Sequence, residues 1–115
     1  MEKHNRQNKS FRFAVRIVKL TKMLKAERKE FILSNQLLRS GTSIGANIVE
    51  AQQAQSRADF LSKMNIALKE AVETDYWLRL LEETDYLSTV EFTSIHADCD
   101  EIVKILVSSV KSAKK

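Results

Sequence analysis

Residues 36–51 read QLLRSGTSIGANIVEA, and the way this stretch folds decides the architecture of the chain. Its composition, two glycines among serine and threonine, is typical of a turn. Its apolar pattern favours a helix, because Leu37 and Ile44 lie seven residues apart and so share one helix face. Each glycine inside a helix costs about 1 kcal/mol relative to alanine. We favour the continuous helix, in which Gly41 and Gly45 leave a flat patch for close packing of another backbone.

Apolar residues recur at helical spacing along the rest of the chain and predict four helices. We expect the helices at about residues 10–26, 30–55, 57–84 and 89–111, after a flexible polar segment at 1–9. The charged run 25–30 favours a break between the first two helices, although Leu24, Phe31 and Leu38 keep a seven-residue phase across it. One continuous helix is the alternative, and it would be far longer than helices of globular proteins usually are.

Two helix starts carry capping signals. Ser56 with Asp59 three residues later predicts the start of helix three, and Ser88 with Glu91 predicts the start of helix four. Because the connections between successive helices are short, neighbouring helices should run antiparallel. The predicted fold is all-α, an antiparallel up-down-up-down four-helix bundle. The apolar seam of its last helix repeats at steps of three and four residues, at Phe92, Ile95, Cys99, Ile102 and Leu106.

The composition of the chain agrees with one globular helical domain. Its 115 residues are 43% hydrophobic and 30% charged, and with no proline and two glycines they offer little of the turn chemistry that sheet proteins require. The single cysteine, Cys99, excludes an internal disulfide framework and fits a reducing compartment. The polar start lacks the apolar region of a signal peptide, and no apolar run is long enough to span a membrane. We therefore expect a cytoplasmic protein without a membrane partner.

The charge of the chain is unevenly distributed. The formal net charge is +4, yet residues 1–29 contain ten of the nineteen basic residues and only two acidic ones. Seven of these basic residues follow one another at steps of three or four, which suggests that they lie along one side of the first helix. This basic stripe consists of Lys9, Arg12, Arg16, Lys19, Lys22, Lys25 and Lys29.

The basic stripe is open to three interpretations. A solvated helix face is the plainest, although solvated faces usually interleave charges because like charges four residues apart repel. Phosphates of RNA or DNA would relieve this repulsion through counterion release, and the cations would contact the backbone without reading its sequence. An acidic protein partner would also relieve it, and so would acids of a neighbouring copy, such as Glu70, Glu73, Glu82 and Glu83. Among these partners we favour nucleic acid.

The middle of the chain resembles a known bacterial family. The stretch SIGANIVE at 43–50, preceded by QLLRS at 36–40, is similar to the signature of four-helix-bundle proteins related to those encoded in intervening sequences of large-subunit ribosomal RNA genes. The similarity continues downstream, so that it covers about residues 11–110. Gly45 stands where the family often has proline, and Ala51 stands where it often has glycine.

The resemblance implies an antiparallel four-helix bundle that assembles as a homo-oligomeric ring of five, a pentamer. It also implies a family without an established enzymatic activity. A more distant similarity is to the accessory protein of diversity-generating retroelements, a basic pentameric barrel that binds a reverse transcriptase and nucleic acid. This second similarity is an analogy of fold, and an analogy of fold does not by itself assign a function.

No combination of residues in the sequence predicts a catalytic or metal site. Ser43, Asn47 and Glu50 share a helix face. Without a nucleophile–base pair nearby, they are better explained as a buried polar network that reaches Asn65. His96 and the cysteine one turn after it are too few for a zinc site. We therefore expect no enzyme, no cofactor and no metal.

These features together predict a function of binding rather than of catalysis. We expect a non-enzymatic helical bundle that self-associates and binds an acidic partner, with nucleic acid favoured, through the basic surface of helix one. The alternative is a structural or protein–protein adaptor that does not bind nucleic acid and whose basic stripe pairs with acidic neighbours. The two differ in their dependence on salt, because nucleic-acid affinity falls steeply as salt is added.

Overall fold

Four α-helices make up the described part of the protein and pack side by side. The computed structural model describes residues 2–114, with side chains from Asn5 onward. The helices are α1 (Glu2–Glu27), α2 (Ile32–Ala51), α3 (Arg57–Glu83) and α4 (Thr89–Lys114). Each helix packs against the one before it, and α4 closes against α1. The predicted four-helix bundle is therefore confirmed, as an elongated body of 44 × 21 × 20 Å.

The first helix begins earlier, and the second ends earlier, than the sequence pattern suggests. α1 starts at Glu2, so residues 2–9 are helical rather than a flexible segment, and Met1 lies outside the described residues. The early start of α1 is explained by Arg6 and Ser10. Both are buried, and their polar side chains extend the inward side of the helix towards its N-terminus. The second helix stops at Ala51, since the chain must turn before it reaches the extended cap of α3 at residue 56.

α2 runs without interruption through its two glycines, and α1 packs directly against them. A β-carbon built at Gly41 would lie 2.8 Å from Ile17 Cγ1 and 2.9 Å from Ile17 Cγ2. A β-carbon built at Gly45 would lie 3.3 Å from Ser10 Oγ. Ile17 is fully buried where the two helices meet. The absence of side chains at the two glycines therefore lets α1 approach α2 closely. This close packing offsets the low helix propensity of glycine.

Backbone hydrogen bonds around Leu24 form the break between α1 and α2. The carbonyl of Leu24 accepts hydrogen bonds from the N–H groups of Arg28 and Glu30, each at 3.1 Å, and these bonds close the end of α1. Lys29 adopts the left-handed conformation that such an ending requires, with φ of 56°. The chain therefore turns at residues 28–31 even though the apolar phase continues across them.

Glu30 caps the start of α2, a role that the sequence pattern does not reveal. Its carboxylate accepts hydrogen bonds from the N–H groups of Ile32 (3.2 Å), Leu33 (3.0 Å) and Ser34 (2.7 Å). Burial raises the pKa of this carboxyl, but the hydrogen bonds from residues 32–34 together outweigh burial and lower the pKa below its ordinary value of 4.5. The ionised carboxylate therefore stabilises the helix start.

The starts of α3 and α4 use the capping pairs that the sequence predicts. Ser56 Oγ accepts a hydrogen bond from the N–H of Asp59 at 3.0 Å, and the Asp59 carboxylate accepts one from the N–H of Gln55 at 3.3 Å. At α4, Ser88 Oγ accepts from the N–H of Glu91 at 3.1 Å, and the Glu91 carboxylate accepts from the N–H of Ser88 at 2.9 Å. These bonds satisfy N–H groups that the first turn of a helix leaves without partners.

The core lies between the four helices and is apolar along most of its length. The α1–α4 side is the least extensively packed of the four sides of the bundle. None of the four helices, as described over residues 2–114, is long and apolar enough to cross a bilayer. The largest fully buried apolar side chains are Phe13, Ile17, Leu24, Leu37, Ile44, Ile48, Met64, Leu78, Leu81 and Leu106.

We expect Gly41→Ala to destabilise the bundle, because the added β-carbon would meet the buried, branched side chain of Ile17. Overpacking of this kind costs about 1–3 kcal/mol, and the gain in helix propensity offsets about 1 kcal/mol of it. Urea unfolding followed by circular dichroism, at one protein concentration, measures the net change. Gly45→Ala is the matched control, since its contact with Ser10 is less severe. A Gly41→Ala protein more stable than the Gly45→Ala protein would contradict the close packing.

We expect Glu30→Gln to lower the free energy of unfolding by about 1 kcal/mol at neutral pH, the usual worth of a helix cap. Because the pKa of Glu30 is lowered by folding, its contribution is present above pH 4.5 and is lost as the pH falls below that value. The difference between the wild type and the variant should therefore shrink on acidification. Urea unfolding across this pH range tests it. Glu27→Gln, at an exposed position at the end of α1, should show no comparable dependence.

Candidate nucleic-acid interface

The basic stripe of α1 does not lie on a single side of the helix, so that expectation from the sequence is wrong. A helix turns about 100° per residue, and a step of three residues therefore falls about 60° short of a full turn. Three such steps follow one another from Arg16 to Lys25 and carry the stripe around the helix. The stripe divides into cations that face neighbouring helices and cations that face outward.

Three of the seven cations are held by neighbouring helices. Lys9 Nζ lies 3.1 Å from the carboxylate of Glu101, and Arg16 Nη1 lies 2.6 Å from that of Asp98, both on α4. Lys25 Nζ donates a hydrogen bond of 2.6 Å to a side-chain oxygen of α2. These three cations therefore join α1 to the helices on both of its sides.

The other four cations make no ion pair with a described residue of a neighbouring helix, and two of them border the spaces between α1 and α4. Among the described residues, no carboxylate lies within ion-pair distance of any of them. All four are exposed. Arg12 lies four residues before Arg16 and Lys19 lies three residues after it, so each is about one helical turn from Arg16. We call this set the outward cations: Arg12, Lys19, Lys22 and Lys29.

A groove separates α1 from the start of α4, beside the outward cations. It encloses about 470 Å³, and Leu20, Leu87 and Ile95 supply apolar lining. Val90, at the edge of the groove, is 80% exposed. Arg16 lines this groove and also a second cavity of about 290 Å³ further along the same two helices. We call the larger space the α1–α4 groove, and it lies on the side where the bundle is least packed.

The guanidinium group of Arg16 is fixed in position beside this groove. Its Nη1 donates to the carboxylate of Asp98 at 2.6 Å and to the carbonyl of Ser94 at 3.3 Å. Its Nη2 donates to Ser94 Oγ at 2.9 Å. The side chain as a whole is nevertheless 41% exposed.

Two apolar faces lie on opposite sides of the bundle. Because the helices follow one another around the bundle, the side shared by α1 and α2 is opposite the side shared by α3 and α4. Each side carries exposed apolar residues, among them Phe11, which is 70% exposed, and Val72, which is 55% exposed. The α1–α2 face consists of Phe11, Val15, Val18 and Val49, and the α3–α4 face consists of Val72, Tyr76 and Val107.

The buried polar network expected around Ser43 does not form within the described part of the chain. Ser43 Oγ donates to a carbonyl of its own helix at 2.6 Å, and Asn47 Nδ2 donates to the carbonyl of Ser43 at 2.8 Å. Glu50 is exposed and pairs with Lys63 of α3 at 3.0 Å, while Asn65 is half-buried. The face that these residues share lies at the edge of α2 rather than in its buried seam.

Ser40 and Thr74 instead make the buried polar contact between α2 and α3. Their hydroxyl oxygens lie 2.9 Å apart, and both side chains are fully buried. Ser40 lies three residues after Leu37 and four before Ile44, so it belongs to the same buried face as these two apolar residues. This spacing is the signal in the sequence that could have identified Ser40.

Two of the acids considered as partners for the stripe of a neighbouring copy are already paired within the chain. Arg39 Nη1 lies 3.3 Å from Glu70, and its Nη2 contacts Glu73, so these ion pairs join α2 to α3. Glu82 and Glu83, at the end of α3, have no ion-pair partner among the described residues. Of the four acids, only these two, at the end of the bundle, are available to pair with a cation of another molecule.

The reactive side chains of α3 and α4 are engaged in packing. Burial raises the pKa of the Cys99 thiol to about 12, so this cysteine is not a thiolate at neutral pH. His96 contacts Asp75, which also pairs with Arg79 at 2.9 Å, and the imidazole stacks on Phe92 with ring centres 4.7 Å apart. No group of three or more His, Cys, Asp and Glu side chains in the described residues is arranged to hold a metal ion.

Comparison with known proteins identifies the family of the chain. The family model described as 23S rRNA-intervening sequence protein matches residues 2–108. The chain belongs to this family. A solved structure from Bacteroides thetaiotaomicron, described as a protein with unknown function from the S23 ribosomal protein family, is 58% identical, with a TM-score of 0.95 over 96% of this chain and 99% of that chain. No curated protein sequence matches the chain.

Membership in the 23S rRNA-intervening sequence protein family confirms the resemblance carried by residues 36–50. The match extends through all four helices and agrees with the bundle that the resemblance implies. The similar solved structure is itself described as having unknown function. The function of this chain must therefore be argued from its own surface, above all from the outward cations and the groove beside them.

Proposed function

We propose that this protein is a non-enzymatic helical bundle that self-associates and binds nucleic acid through the outward cations of α1 and of the turn that follows it. The observation that carries the proposal is the division of the basic stripe. Lys9 and Arg16 are paired with acids of α4, whereas the outward cations present their charge to the surroundings. Neighbouring cations on one helix repel each other, and an anion laid over them removes that repulsion.

A phosphate backbone fits this row because it repeats its negative charge along an extended line. Arg12 and Lys19 are seven residues apart and share one helix face, which places them about 10 Å apart along the helix. Each phosphate that a cation neutralises releases counterions, and this release favours binding without any contact to base edges. The names of the family and of the similar structure refer to ribosomal RNA and to a ribosomal protein family, which supports RNA as the first ligand to test.

Self-association is the second part of the proposal, and it rests on the two apolar faces. Exposed apolar surface gains free energy when it is removed from water. The α1–α2 face and the α3–α4 face differ in their residues, so a contact between one face of one copy and the other face of the next is heterologous. Heterologous contacts build rings when the rotation closes. We propose the ring of five that the family resemblance implies.

Such a ring would repeat Arg12 and Lys19, the outward cations on the α1–α4 side, on one surface. Contacts through the α1–α2 and α3–α4 faces leave the α1–α4 side of every copy facing the same way. Five rows of cations on one surface would bind a single nucleic acid more tightly than one row, because the later contacts are made within an existing complex. Assembly and nucleic-acid binding therefore support each other in this proposal.

An adaptor that binds an acidic protein is the second candidate function, and the ion pairs of α1 favour it. Lys9 and Arg16 already pair with carboxylates of α4, so cations on this helix are suited to carboxylate partners as well as to phosphates. An acidic protein surface laid over the outward cations would make the same kind of contact. Absence of nucleic-acid binding at low salt would favour this candidate over the first.

We expect labelled RNA to bind at low salt and its affinity to fall steeply as salt is added, by a logarithmic slope of about 0.7 for each phosphate contacted by a cation. The double variant Arg12→Glu with Lys19→Glu should lose most of this binding, because two attractive contacts become repulsive. Fluorescence polarisation across a salt series measures both effects. Both residues are exposed and without a carboxylate partner in the described chain, so circular dichroism should show unchanged helicity.

Lys69→Glu provides the matched control for charge reversal. Lys69 is an exposed lysine of α3, on a different helix from the outward cations. Because it lies three residues before Val72 of the α3–α4 face, sedimentation velocity must first show that this variant assembles as the wild type does. Reversal of Lys69 changes the net charge of the protein as Lys19→Glu does, but it should leave RNA affinity nearly unchanged. Equal losses of RNA affinity for Lys69→Glu and Lys19→Glu would show that binding follows the net charge of the protein. That result would contradict the assignment of the binding site to α1.

We expect Val15→Glu and Val72→Glu each to stop ring formation, because each places a charge on one of the two apolar faces. Mixing the two variants should give a dimer of one copy of each, since one intact pair of faces remains. Sedimentation velocity distinguishes monomer, mixed dimer and ring. Ile32→Glu is the control, at a 77% exposed position outside both faces. A contact between identical faces would instead allow one variant to dimerise alone, and that result would refute the ring.

A further inference from the structure

We propose that the α1–α4 groove binds an unpaired base of a single-stranded nucleic acid, stacked on the guanidinium group of Arg16. This inference rests on the proposed function, because Arg12 and Lys19 would hold phosphates on either side of that base. It adds the class of ligand, since it requires single strands, or unpaired segments, rather than continuous duplex. It also gives Arg16 a role that differs from that of the outward cations.

The chemistry of Arg16 suits stacking better than phosphate binding. A guanidinium group is planar and stacks on aromatic rings, and unpaired bases are commonly stacked on arginine in complexes with RNA. The charge of Arg16 is already paired with Asp98 at 2.6 Å, which leaves less attraction for a phosphate. Three hydrogen bonds to Asp98 and Ser94 hold the plane in position before any ligand arrives. Fixing the group in advance reduces the entropy lost on binding.

The groove offers a base an apolar site of suitable size. Its volume of about 470 Å³ lies within the range of small-molecule sites, which are mostly apolar with a few fixed polar groups. Leu20, Leu87 and Ile95 provide the apolar lining, and the polar groups come from Arg16, Lys19, Glu91 and Ser94. A nucleic-acid base matches this combination, because its flat faces are weakly polar and its edges carry polar groups.

The charge around the groove favours a ligand with a phosphate backbone. The acids on the α4 side are engaged within the bundle, since Asp98 pairs with Arg16 and Glu101 pairs with Lys9. Glu91 accepts the hydrogen bond that caps α4. Glu91 also lines the groove and makes no ion pair among the described residues, so its charge offsets one of the two cations without a carboxylate partner along this side, Arg12 and Lys19, and one positive charge remains unbalanced. An apolar site beside a net positive charge is complementary to a base carrying phosphates on both sides.

The spacing along α1 places these groups in the order that a single strand requires. Arg12 precedes Arg16 by four residues and Lys19 follows it by three, so a cation lies about one turn, roughly 5 Å, to each side. A base that enters the groove must first separate from the neighbouring bases on which it stacks. In a single strand this does not require a base pair to break. In a duplex the bases are paired and stacked on one another, so a duplex could meet the cations but could not fill the groove.

Arg16→Lys is the variant that tests the inference, because it keeps the positive charge beside Asp98 and removes the planar group. We expect about a tenfold loss of affinity for an unstructured single-stranded oligonucleotide, in keeping with the worth of stacking one base. Affinity for a duplex of the same length should stay within about twofold, since backbone contacts depend on charge. Fluorescence polarisation at one low salt concentration gives both values. RNA and DNA versions of each ligand separate the contribution of the sugar.

Arg79→Lys is the matched control, since Arg79 is also an exposed arginine that pairs with a carboxylate, on α3. It should change neither affinity. Val90→Met is a second variant that fills the groove without adding a flat ring, from a position that is already 80% exposed, so folding does not depend on the original side chain. It should reproduce the loss for single strands. An abasic strand should bind the wild type and Arg16→Lys equally.

The outcomes separate this inference from the proposed function. Equal single-strand binding by the wild type, Arg16→Lys and Val90→Met would overturn the inference and leave the groove to another occupant, such as an apolar segment of a protein. An abasic strand that binds the wild type as tightly as the complete strand would also overturn it. In both cases binding that depends on Arg12 and Lys19 would still support the proposed function. Absence of binding by every ligand at low salt would reject both.

Discussion

The contact between Ile17 and Gly41 positions α1, and the surface features of this protein depend on that position. With no side chain at Gly41, α1 lies close against α2, and Ile17 is buried between the two helices. This placement also fixes the rotation of α1 about its own axis. Arg16, one residue before Ile17, consequently faces the acids of α4, while Lys19 faces outward. A small shift of α1 would alter which cations are paired and which are available to a partner.

Much of the fold could be predicted from the sequence, because its signals are local. The capping pair at Ser88 and Glu91 lies within four residues, and the apolar phase of α2 is visible across both glycines. The start of α1 could not be predicted in this way. Arg6 and Ser10 are polar residues on the inward side of the helix, so they interrupt the apolar pattern that marks a buried face. Only the neighbouring helices make such positions buried.

The candidate site was predictable in its residue types but not in its arrangement. The row of cations is plain in the sequence, whereas the acid that pairs with Arg16 lies 82 residues further along the chain, and only the packing of α4 against α1 brings the two together. The apolar residues of α1 show the same limit. Phe11 and Phe13 are equally apolar and only two residues apart, yet Phe11 is 70% exposed and Phe13 is buried. Composition cannot distinguish them, because burial depends on the direction in which each side chain leaves the helix.

The sparse packing between α1 and α4 has a consequence for how the chain folds. Helices that are consecutive in the sequence pack extensively against each other, whereas the pair that joins the two ends of the chain packs least. Chains whose packing is mainly local fold fast, because little loop-closure entropy is lost before the helices meet. Hairpins of consecutive helices therefore hold most of the packing of this chain, and the α1–α4 side adds the least. The side that we assign to ligand binding is then also the side whose opening disturbs the least of the native packing.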